Sequence, residues 1–569
     1  MKILLVATAF NSLTQRVFTA LRDRGHSVGV ELALGDGQLR EAVRRDPPDL
    51  VIAPMLKSAI PQDIWSTVTC LIVHPGPLGD RGPSSLDWAV HEGARHWGVT
   101  VLQAEAEMDA GPVWASVPCP LAARGKSDLY RNEIADAALE AVLTAVARFA
   151  SGDHRPRSQD GPELRAAVRT RPPMRQADRR IRWDSDPTDR VLRTLRAADS
   201  QPGVLDELLG GEWFLQGGHR AHGTGGAPGE VLATRAGAIC RATVDGAVWI
   251  PQLRPRRTPG GPRTFSLPAA TALGDRLAGV PDVPAPLLQA HGRREWSDIR
   301  YHEVGATGIL SFSFPGGAMG TDHCRRLLAA YRAACARPTS VLVLGGERDF
   351  FSNGIHLNVI EAAEDPGEES WANINAIDDL VEAVLTTTDK MVVAALGGNA
   401  AAGGVMLALA ADEVWCRAGA VLNPHYRLMG LYGSEFWTYS LPRRVGASVA
   451  AALTEQSLPV SAERAERLGL VDRVLPTPAE GFALQTVELA TRWASTAGVQ
   501  ARIAEKKADR EKREQAKPLA AYRDEELARM HAIFLDPDHP YHALRRAFVH
   551  KEVPAATPDH LRALAGARG

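Results

Sequence analysis

The chain has 569 residues, 45% of them hydrophobic and 23% charged, with a formal net charge of −2. This length exceeds what one hydrophobic core supports, so we expect two to four domains. The near-neutral charge gives no electrostatic basis for nucleic acid or an anionic membrane as the main partner.

The spacing of the cysteines and the N-terminal residues indicate the cellular compartment of the protein. The six cysteines lie far apart and include no C-x-x-C pair, which is typical of reduced thiols rather than of a disulfide framework or a zinc site. The opening MKILLVATAF lacks the long apolar stretch and cleavage site of a signal peptide, and no apolar run has the length needed to cross a bilayer. The sequence therefore predicts a cytoplasmic protein with no bound metal.

Short apolar runs alternate with helical stretches near the N-terminus. The runs are KILLVA (2–7), GHSVGVELAL (25–34) and PDLVIAPML (48–56). Between the first two, NSLTQRVFTALRDRGH (11–26) has apolar residues at helical spacing. This alternation predicts a parallel, Rossmann-like α/β domain over residues 1–175, with an Arg- and Pro-rich connector at 151–180.

The character of the sequence changes after this connector. Short β-type pieces with glycine-bearing turns predict a small β-barrel or sandwich over residues 176–275, followed by a Pro-rich linker at 276–295. Strand–glycine turn–helix units then predict a second α/β domain over 296–510. The last 59 residues, 511–569, are predicted to form a helical extension.

A histidine ends a predicted strand of the first domain, a position at which catalytic residues are common. The strand CLIVH (70–74) ends at His74 and runs into a Gly/Pro loop, and open α/β sheets bind ligands beyond the carboxyl ends of their strands. Asp109 follows a later strand, shortly before Gly111. Either residue alone is more often structural, but a histidine with an orienting carboxylate is a usable acid–base unit.

The order of three motifs carries a family resemblance. The motifs are His74-Pro-Gly-Pro-Leu-Gly-Asp-Arg-Gly82, Pro83 to Trp88, and Met108-Asp109-Ala-Gly111. With the β-rich region after residue 180, they resemble the formyltransferase family that uses 10-formyltetrahydrofolate. The resemblance implies catalytic roles for His74 and Asp109, an OB-like barrel, and a folate site formed by Pro75, Gly76, Pro77, Leu78, Arg81, Ser85 and Asp87. The family's catalytic Asn, two residues before its His, is Ile72 here, so one donor that polarises the formyl carbonyl is absent.

Two glycine turns mark a second candidate site. The first spans Phe351 to Leu357, and the second runs from Gly398 to a helix that ends near Asp412. Such turns often only permit close packing, but in this order they resemble the crotonase (enoyl-CoA hydratase/isomerase) superfamily over about 296–510. The resemblance implies a spiral α/β fold and an oxyanion hole formed by the backbone N–H groups of Ile355 and Gly403 around an acyl-CoA carbonyl. It also implies a coenzyme A site, for which the candidates are Asn353, Gly354, His356, Leu357, Gly404, Ser434, Arg545 and Lys551.

The carboxylates that a hydratase of this superfamily needs are absent. Met406 stands where one catalytic Glu belongs, and the other position falls at or near Tyr426, so we do not expect hydration of enoyl thioesters. The stretch HYRLMGLYGSEFWTY (425–439) offers Tyr426, Ser434, Glu435 and Tyr439 instead. Core packing accounts best for most of its aromatic rings. Glu435 is either an exposed loop residue or a buried proton carrier with a raised pKa, and the flanking apolar residues favour burial.

The C-terminal stretch YHALRRAFVHK (541–551) has an apolar and basic pattern typical of the last crotonase helix. Arg545, Arg546 and Lys551 are therefore candidates for contacts with the phosphates of coenzyme A. Exposed helix cations without such a role are the more common alternative.

The fusion of these two domains, with Gly-Ser-Glu-Phe-Trp-Thr-Tyr at 433–439, resembles a family of [NiFe]-hydrogenase maturation factors. The resemblance implies transfer of the formyl group of 10-formyltetrahydrofolate to coenzyme A, then decarbonylation of formyl-CoA to carbon monoxide, with Glu435 and Tyr426 as base and acid in either order. It implies hydrogenase assembly proteins carrying the iron centre as partners. Two alternatives stay open: a formyltetrahydrofolate hydrolase or amine formyltransferase with a vestigial crotonase domain, and a non-catalytic scaffold that binds coenzyme A.

Overall fold

Strands made almost wholly of apolar residues form the first sheet of the protein.

The computed structural model describes residues 1–162, 165, 168–223, 225–288 and 295–562, so parts of the predicted barrel, connector, linker and C-terminal extension lie outside the described residues. The chain divides into two compact units. One comprises Met1–Leu232, Ile239–Arg256 and the segment from Val553, and the other comprises Ala233–Ala238 and Arg257–Glu552.

The first unit begins with a six-stranded sheet. Its strands, and the two-residue strand β5, are β1 (Lys2–Ala7), β2 (Ser27–Leu32), β3 (Leu50–Met55), β4 (Cys70–His74), β5 (Asp80–Arg81), β6 (His96–Gln103) and β7 (Val113–Pro120). The order is β2-β1-β3-β4-β6-β7; the first four strands are parallel to one another, and β6 runs antiparallel to both of its neighbours, β4 and β7. The helices are α1 (Ser12–Asp23), α2 (Asp36–Arg45), α3 (Gln62–Trp65), α4 (Ser85–Glu92), α5 (Lys126–Arg131) and α6 (Glu133–Ser151). Because helices return the chain between the parallel strands, the carboxyl end of β4 lies on the same side of the sheet as the carboxyl ends of β1, β2 and β3.

The β-rich region that follows contains two antiparallel ladders. Its elements are β8 (Arg169–Thr170), α7 (Thr188–Ala198), β9 (Val204–Leu208), β10 (Gly211–Gln216), β11 (His219–Ala221), β12 (Val231–Arg235), β13 (Ala238–Thr243), β14 (Gly246–Ile250), β15 (Gln252–Pro255), β16 (Leu267–Pro268) and α8 (Ala269–Leu273). One ladder pairs β9, β10 and β15, and the other pairs β11, β14 and β13.

The second unit contains a six-stranded sheet and a small three-stranded sheet. Its elements up to residue 475 are β17 (Ile299–Val304), β18 (Thr307–Phe312), α9 (Thr321–Cys335), β19 (Val341–Gly345), α10 (Leu357–Ala362), α11 (Pro366–Thr386), β20 (Met391–Leu396), β21 (Ala400–Ala401), α12 (Gly403–Leu409), β22 (Glu413–Arg417), β23 (Val421–Asn423), α13 (Trp437–Val445), α14 (Ala447–Gln456), β24 (Val460–Ser461), α15 (Ala462–Leu468) and β25 (Arg473–Leu475). The large sheet has the order β17-β18-β19-β20-β22-β25, and the small sheet has the order β21-β23-β24. The strand pairs are parallel except for β17 with β18 and β23 with β24, which are antiparallel. Helices connect most of the parallel strands, which agrees with the spiral α/β fold that the crotonase resemblance implies.

Helices complete the chain, as expected. They are α16 (Ala479–Ala494), α17 (Gly498–Ala516), α18 (Leu519–Leu535), α19 (Pro540–Val549) and α20 (Asp559–Arg562). Met530 and Phe534 of α18 share one buried apolar cluster with Leu380 and Val384 of α11, so α18 is part of the core of the second unit. Within the described ranges, no helix combines the length and the apolar character needed to cross a membrane.

Candidate active sites

His74 lies at the end of β4 with both ring nitrogens near carboxylates. Its side chain is buried, with 5% exposed. Its Nδ1 lies 3.6 Å from Asp109 Oδ1, so the two residues that the sequence pairs are adjacent. On the other side of the ring, Nε2 lies 3.0 Å from Asp80 Oδ2. Each ring nitrogen of His74 therefore has a carboxylate oxygen beside it that can accept a hydrogen bond when that nitrogen carries a proton.

Asp80 is not among the site residues predicted from the sequence. This residue lies in the motif that begins at His74, but only the folded Gly/Pro loop brings its carboxylate back to the ring. Arg171 Nε lies 3.3 Å from Asp80 Oδ1, which orients the carboxylate and partly compensates its charge. A Cβ on Gly76 would overlap His74 Nε2 and lie 2.5 Å from Asp80 Oδ2. The glycine is therefore required for the contact between His74 and Asp80.

Asp109 is anchored by its backbone and by its second carboxylate oxygen. Its φ is +57°, a left-handed conformation that residues other than glycine rarely adopt. Gly82 N donates to Asp109 Oδ2 at 3.1 Å, and Gln159 Nε2 donates to Asp109 O at 3.0 Å. These contacts orient Asp109 Oδ1 toward His74.

The predicted folate residues lie in the turn that follows His74, in β5 and in α4. Ile72 pairs with Ala53 and Leu102 in the sheet and supplies no polar side chain in place of the family's Asn. The remaining residues have internal partners or lie in the turn. Ser85 Oγ donates to Pro75 O, Arg81 pairs with Glu107, Asp87 pairs with Lys126 and Arg179, Asp80 N donates to Pro77 O, and Leu78 is partly exposed in the same turn. Their folate-binding roles stay predictions.

In the second unit, the two glycine turns lie against each other. A Cβ on Gly354, whose φ is +76°, would lie 3.2 Å from Gly403 N. Ser352 and Ala400 form a parallel bridge between the turns. Among the described residues, none accepts a hydrogen bond from the Ile355 or Gly403 backbone N–H. The predicted oxyanion donors are therefore adjacent and available.

Glu435 is a buried carboxylate beside these donors. Its side chain is 1% exposed, which confirms the burial prediction and excludes the exposed-loop alternative. Tyr426 Oη donates to Glu435 Oε2 at 2.7 Å, and Ser434 N donates to the same oxygen at 3.1 Å. A Cβ on Gly403 would overlap Glu435 Oε1. One carboxylate oxygen is thus held by protein donors, while the other lies against the Gly403 backbone.

Burial shifts the proton affinity of this pair. Burial, followed by the negative charge of Asp378, raises the pKa of Glu435 to about 8. Burial, followed by the negative charge of Glu435, raises the pKa of Tyr426 well above its ordinary value, so the phenol stays a donor. The site therefore has a carboxylate that exchanges protons near neutral pH and a neutral hydroxyl that orients it.

Two buried acids, neither of them predicted from the sequence, bind the segment that carries Glu435. Asp378 of α11 accepts hydrogen bonds from Glu435 N at 2.8 Å and from Ser434 Oγ at 2.7 Å. Glu526 of α18 accepts from Thr438 N at 2.8 Å. Both acids lie on helices far from 425–439 in the sequence, and their only sequence signal is a charged residue among apolar helix positions.

The structure gives most predicted coenzyme A residues internal partners. Asn353 Nδ2 donates to Gly316 O, His356 Nδ1 accepts from Val359 N, Leu357 begins α10, Gly404 lies against Ser352, Ser434 bonds Asp378, and Lys551 O accepts from Arg263. Arg545 is 2% exposed and its Nε lies 2.8 Å from Glu361 Oε2. Tyr439 Oη accepts from Arg510 at 2.8 Å and its ring packs on Tyr522. Coenzyme A contacts by these residues stay predictions.

Gly403→Ala tests the close approach between Glu435 and the oxyanion donors. The added methyl group would displace the Glu435 carboxylate, and misplacing a catalytic group by about 1 Å costs roughly 100-fold in rate. We expect a loss of this size in the chemistry of the second site, measured with a supplied thioester, and no change at His74. Gly498→Ala is the matched control because a Cβ there meets open space. An unchanged rate in Gly403→Ala would contradict this geometry.

Three family models match consecutive regions of the chain. They are described as "Formyl transferase" (residues 28–146), "Formyl transferase, C-terminal domain" (173–260) and "Enoyl-CoA hydratase/isomerase" (325–547). These matches confirm the predicted fold class: a Rossmann-like formyltransferase domain, its small β-rich C-terminal domain, and a crotonase-like domain with C-terminal helices.

Two proteins are similar to this chain over nearly its whole length, and a third is similar over less than half of it. The chain is 50% identical to hydrogenase maturation factor HoxX of Bradyrhizobium diazoefficiens over 98% of this chain and 96% of that protein. It is 42% identical to HypX of Aquifex aeolicus, solved in complex with tetrahydrofolic acid, with a TM-score of 0.95 over 99% of this chain and 98% of that one. Methionyl-tRNA formyltransferase of Pseudomonas paraeruginosa is 29% identical over 40% of this chain and 72% of that protein. The chain therefore belongs to the HypX/HoxX family of hydrogenase maturation factors.

Proposed function

We propose that this protein makes carbon monoxide from 10-formyltetrahydrofolate in two reactions. The first unit transfers the formyl group to the thiol of coenzyme A, and the second unit splits the resulting formyl-CoA into carbon monoxide and coenzyme A. The observation that carries the proposal is the buried Glu435, held by Tyr426 and directed at the backbone of Gly403. The family that the chain belongs to supports an iron centre of hydrogenase assembly proteins as the destination of the carbon monoxide.

In the first reaction the thiol sulfur attacks the formyl carbon and the bond from that carbon to the folate nitrogen breaks. The thiol loses a proton and the folate nitrogen gains one, so the step needs one group that moves a proton between them. His74 suits this role because its buried ring has Asp109 at one nitrogen and Asp80 at the other. Because Ile72 stands in place of the family's Asn, this position supplies no hydrogen-bond donor for the developing oxyanion.

In the second reaction the thioester carbonyl accepts hydrogen bonds from the N–H groups of Ile355 and Gly403. Glu435 Oε1 removes the formyl proton, the electrons of that C–H bond stay on carbon, and the C–S bond breaks with its electron pair on sulfur. The products are carbon monoxide and a thiolate, which takes the proton back from Glu435. Tyr426 keeps its hydrogen bond to Oε2 throughout and stabilises the carboxylate.

Exclusion of water supports decarbonylation over hydrolysis. Met406, at the position of a hydratase acid, is fully buried, and Phe436 and Tyr439 are buried beside the Glu435 segment. Met406 and Phe436 supply no polar group that would orient a water molecule for attack on the thioester, and the Tyr439 hydroxyl accepts a hydrogen bond from Arg510. A reactive formyl thioester is therefore protected while the proton is transferred.

The test is carbon monoxide formation by the purified chain. With 10-[¹³C]formyltetrahydrofolate and coenzyme A, we expect ¹³CO that reduced haemoglobin traps, and none when either substrate is left out. Formate or a formylated amine produced without dependence on coenzyme A would support the hydrolase or amine formyltransferase alternative. Binding of both substrates without any turnover would support the scaffold alternative. Either result would overturn the proposal.

A further inference from the structure

We propose that Asp378 is a positioning residue for decarbonylation: it holds the turn that carries Glu435, so that Oε1 stays directed at the oxyanion donors. The inference rests on the function proposed above for the second site. Asp378 lies on α11 and is fully buried, and its carboxylate accepts hydrogen bonds from Ser434 and Glu435. It acts through Glu435 rather than on the thioester.

The two oxygens of Asp378 bind two consecutive residues. Oδ1 accepts from the backbone N–H of Glu435 and Oδ2 accepts from the hydroxyl of Ser434. This explains the orientation of Ser434, whose hydroxyl is used inside the protein. The two hydrogen bonds fix the backbone on the N-terminal side of the Glu435 side chain.

The backbone that Asp378 holds has an unusual conformation. Glu435 and Phe436 have φ values of +59° and +57°, a left-handed region that L residues other than Asn and Asp seldom occupy. Consecutive residues in this region persist only when surrounding contacts impose it. Relaxation of the turn to negative φ would carry Glu435 Oε1 away from Gly403.

A second buried acid provides a comparison within the same segment. Glu526 accepts hydrogen bonds from Thr438 in the first turn of α13 and from the backbone of Phe436, which precedes that helix, and it has none to Glu435 or Ser434 among the described contacts. Glu526 therefore anchors the start of the helix, whereas Asp378 holds the residue that carries the reactive carboxylate. A purely structural role fits Glu526 better than it fits Asp378.

Asp378 also sets the charge environment of Glu435. The groups that face Glu435 are Asp378 of α11, Glu526 of α18, Tyr426 of its own loop and Cys324 of α9, and Arg523 of α18 acts on Asp378. Burial raises the pKa of Asp378 to about 7, close to that of Glu435. Two neighbouring carboxylates of this kind cannot both ionise without mutual repulsion. Removing the charge of Asp378 therefore lowers the pKa of Glu435.

The test is Asp378→Asn, assayed with supplied formyl-CoA from pH 6 to pH 9.5 and haemoglobin as the trap. The maximal kcat should fall roughly 100-fold because the reactive oxygen is misplaced. The pH of half-maximal kcat should move down by about one unit because a like charge is lost. The KM for formyl-CoA should stay unchanged because Asp378 does not touch the thioester.

Two variants accompany this test. Glu368→Gln, the control, removes a carboxylate charge from an exposed position in the first turn of the same helix and should leave kcat and the pH profile unchanged. Ser434→Ala keeps the charge of Asp378 and removes one hydrogen bond, so kcat should fall without the downward pH shift. If Asp378→Asn does not fold, a wild-type kcat in Ser434→Ala overturns the inference.

The outcomes separate this inference from the proposed function. A folded Asp378→Asn variant with the wild-type kcat and pH profile overturns the positioning role while leaving decarbonylation intact. Absence of carbon monoxide from the wild-type chain with formyl-CoA overturns the proposed function and the positioning role together.

Discussion

Glu435→Gln should stop carbon monoxide release while leaving formyl transfer to coenzyme A intact. Gln keeps the shape of the side chain, and its carbonyl oxygen can accept from Tyr426 Oη and Ser434 N as Glu435 Oε2 does. Its amide cannot take a proton from the formyl carbon. Loss of a general base lowers rates by roughly 100- to 10,000-fold, and this is the size of effect that we expect in kcat.

The measurement is paired. Carbon monoxide is trapped with haemoglobin, and accumulated formyl-CoA is captured with hydroxylamine as the hydroxamate. Tyr426→Phe is the graded comparison because it removes one donor from Oε2 and leaves the base in place, so its loss should be smaller. Release of carbon monoxide by Glu435→Gln at the wild-type rate would contradict the role of Glu435.

The pH dependence of the wild-type reaction follows from the same carboxylate. Glu435 acts as base only when ionised, and burial raises its pKa to about 8. The rate with saturating formyl-CoA should therefore rise as pH increases through about 8 and reach a plateau above it. Glu435→Gln should show no such rise.

His74→Ala is the second change with a large expected effect. It removes the ring between Asp80 and Asp109, and with it the group that moves the proton from the thiol to the folate nitrogen. We expect formyl-CoA formation from 10-formyltetrahydrofolate to fall by roughly 100- to 10,000-fold. The measurement is the initial rate of hydroxylamine-captured formyl-CoA.

The control for His74→Ala is the second reaction. Decarbonylation of supplied formyl-CoA should proceed at the wild-type rate because the residues that perform it lie in the other compact unit. Asp80→Asn should lower formyl transfer less than His74→Ala, since the ring remains and loses one charged partner. Normal formyl transfer in His74→Ala would remove the histidine from the mechanism.

The sheet of the first unit was predictable because the apolar composition of its strands fits a buried parallel sheet. Strands such as β1 and β3 are apolar at nearly every position and buried on both faces, and such runs separated by amphipathic helices fit a parallel sheet. The pairing of His74 with Asp109 was predictable from the order of the motifs.

The supporting acids were not predictable from the sequence. Asp80 reaches His74 only because the Gly/Pro loop folds back on itself, and Asp378 precedes Glu435 by 57 residues. The first contact depends on the path of a loop and the second on how a helix packs against a distant turn. The periodicity of apolar residues in the sequence gives no information on either. The basic pattern around Arg545 likewise indicated either a phosphate or solvent, whereas the structure pairs that guanidinium with Glu361.

The contact between Glu435 and Gly403 has a consequence for substrate size. If the thioester carbonyl binds at Ile355 and Gly403 as proposed, the carboxylate oxygen occupies the space on the far side of the acyl carbon. A hydrogen atom fits there, and it is the atom that the base removes. The methyl group of an acetyl thioester would collide with the carboxylate, so the same oxygen that performs the chemistry also acts as a steric sieve that selects one-carbon acyl groups from the abundant longer ones.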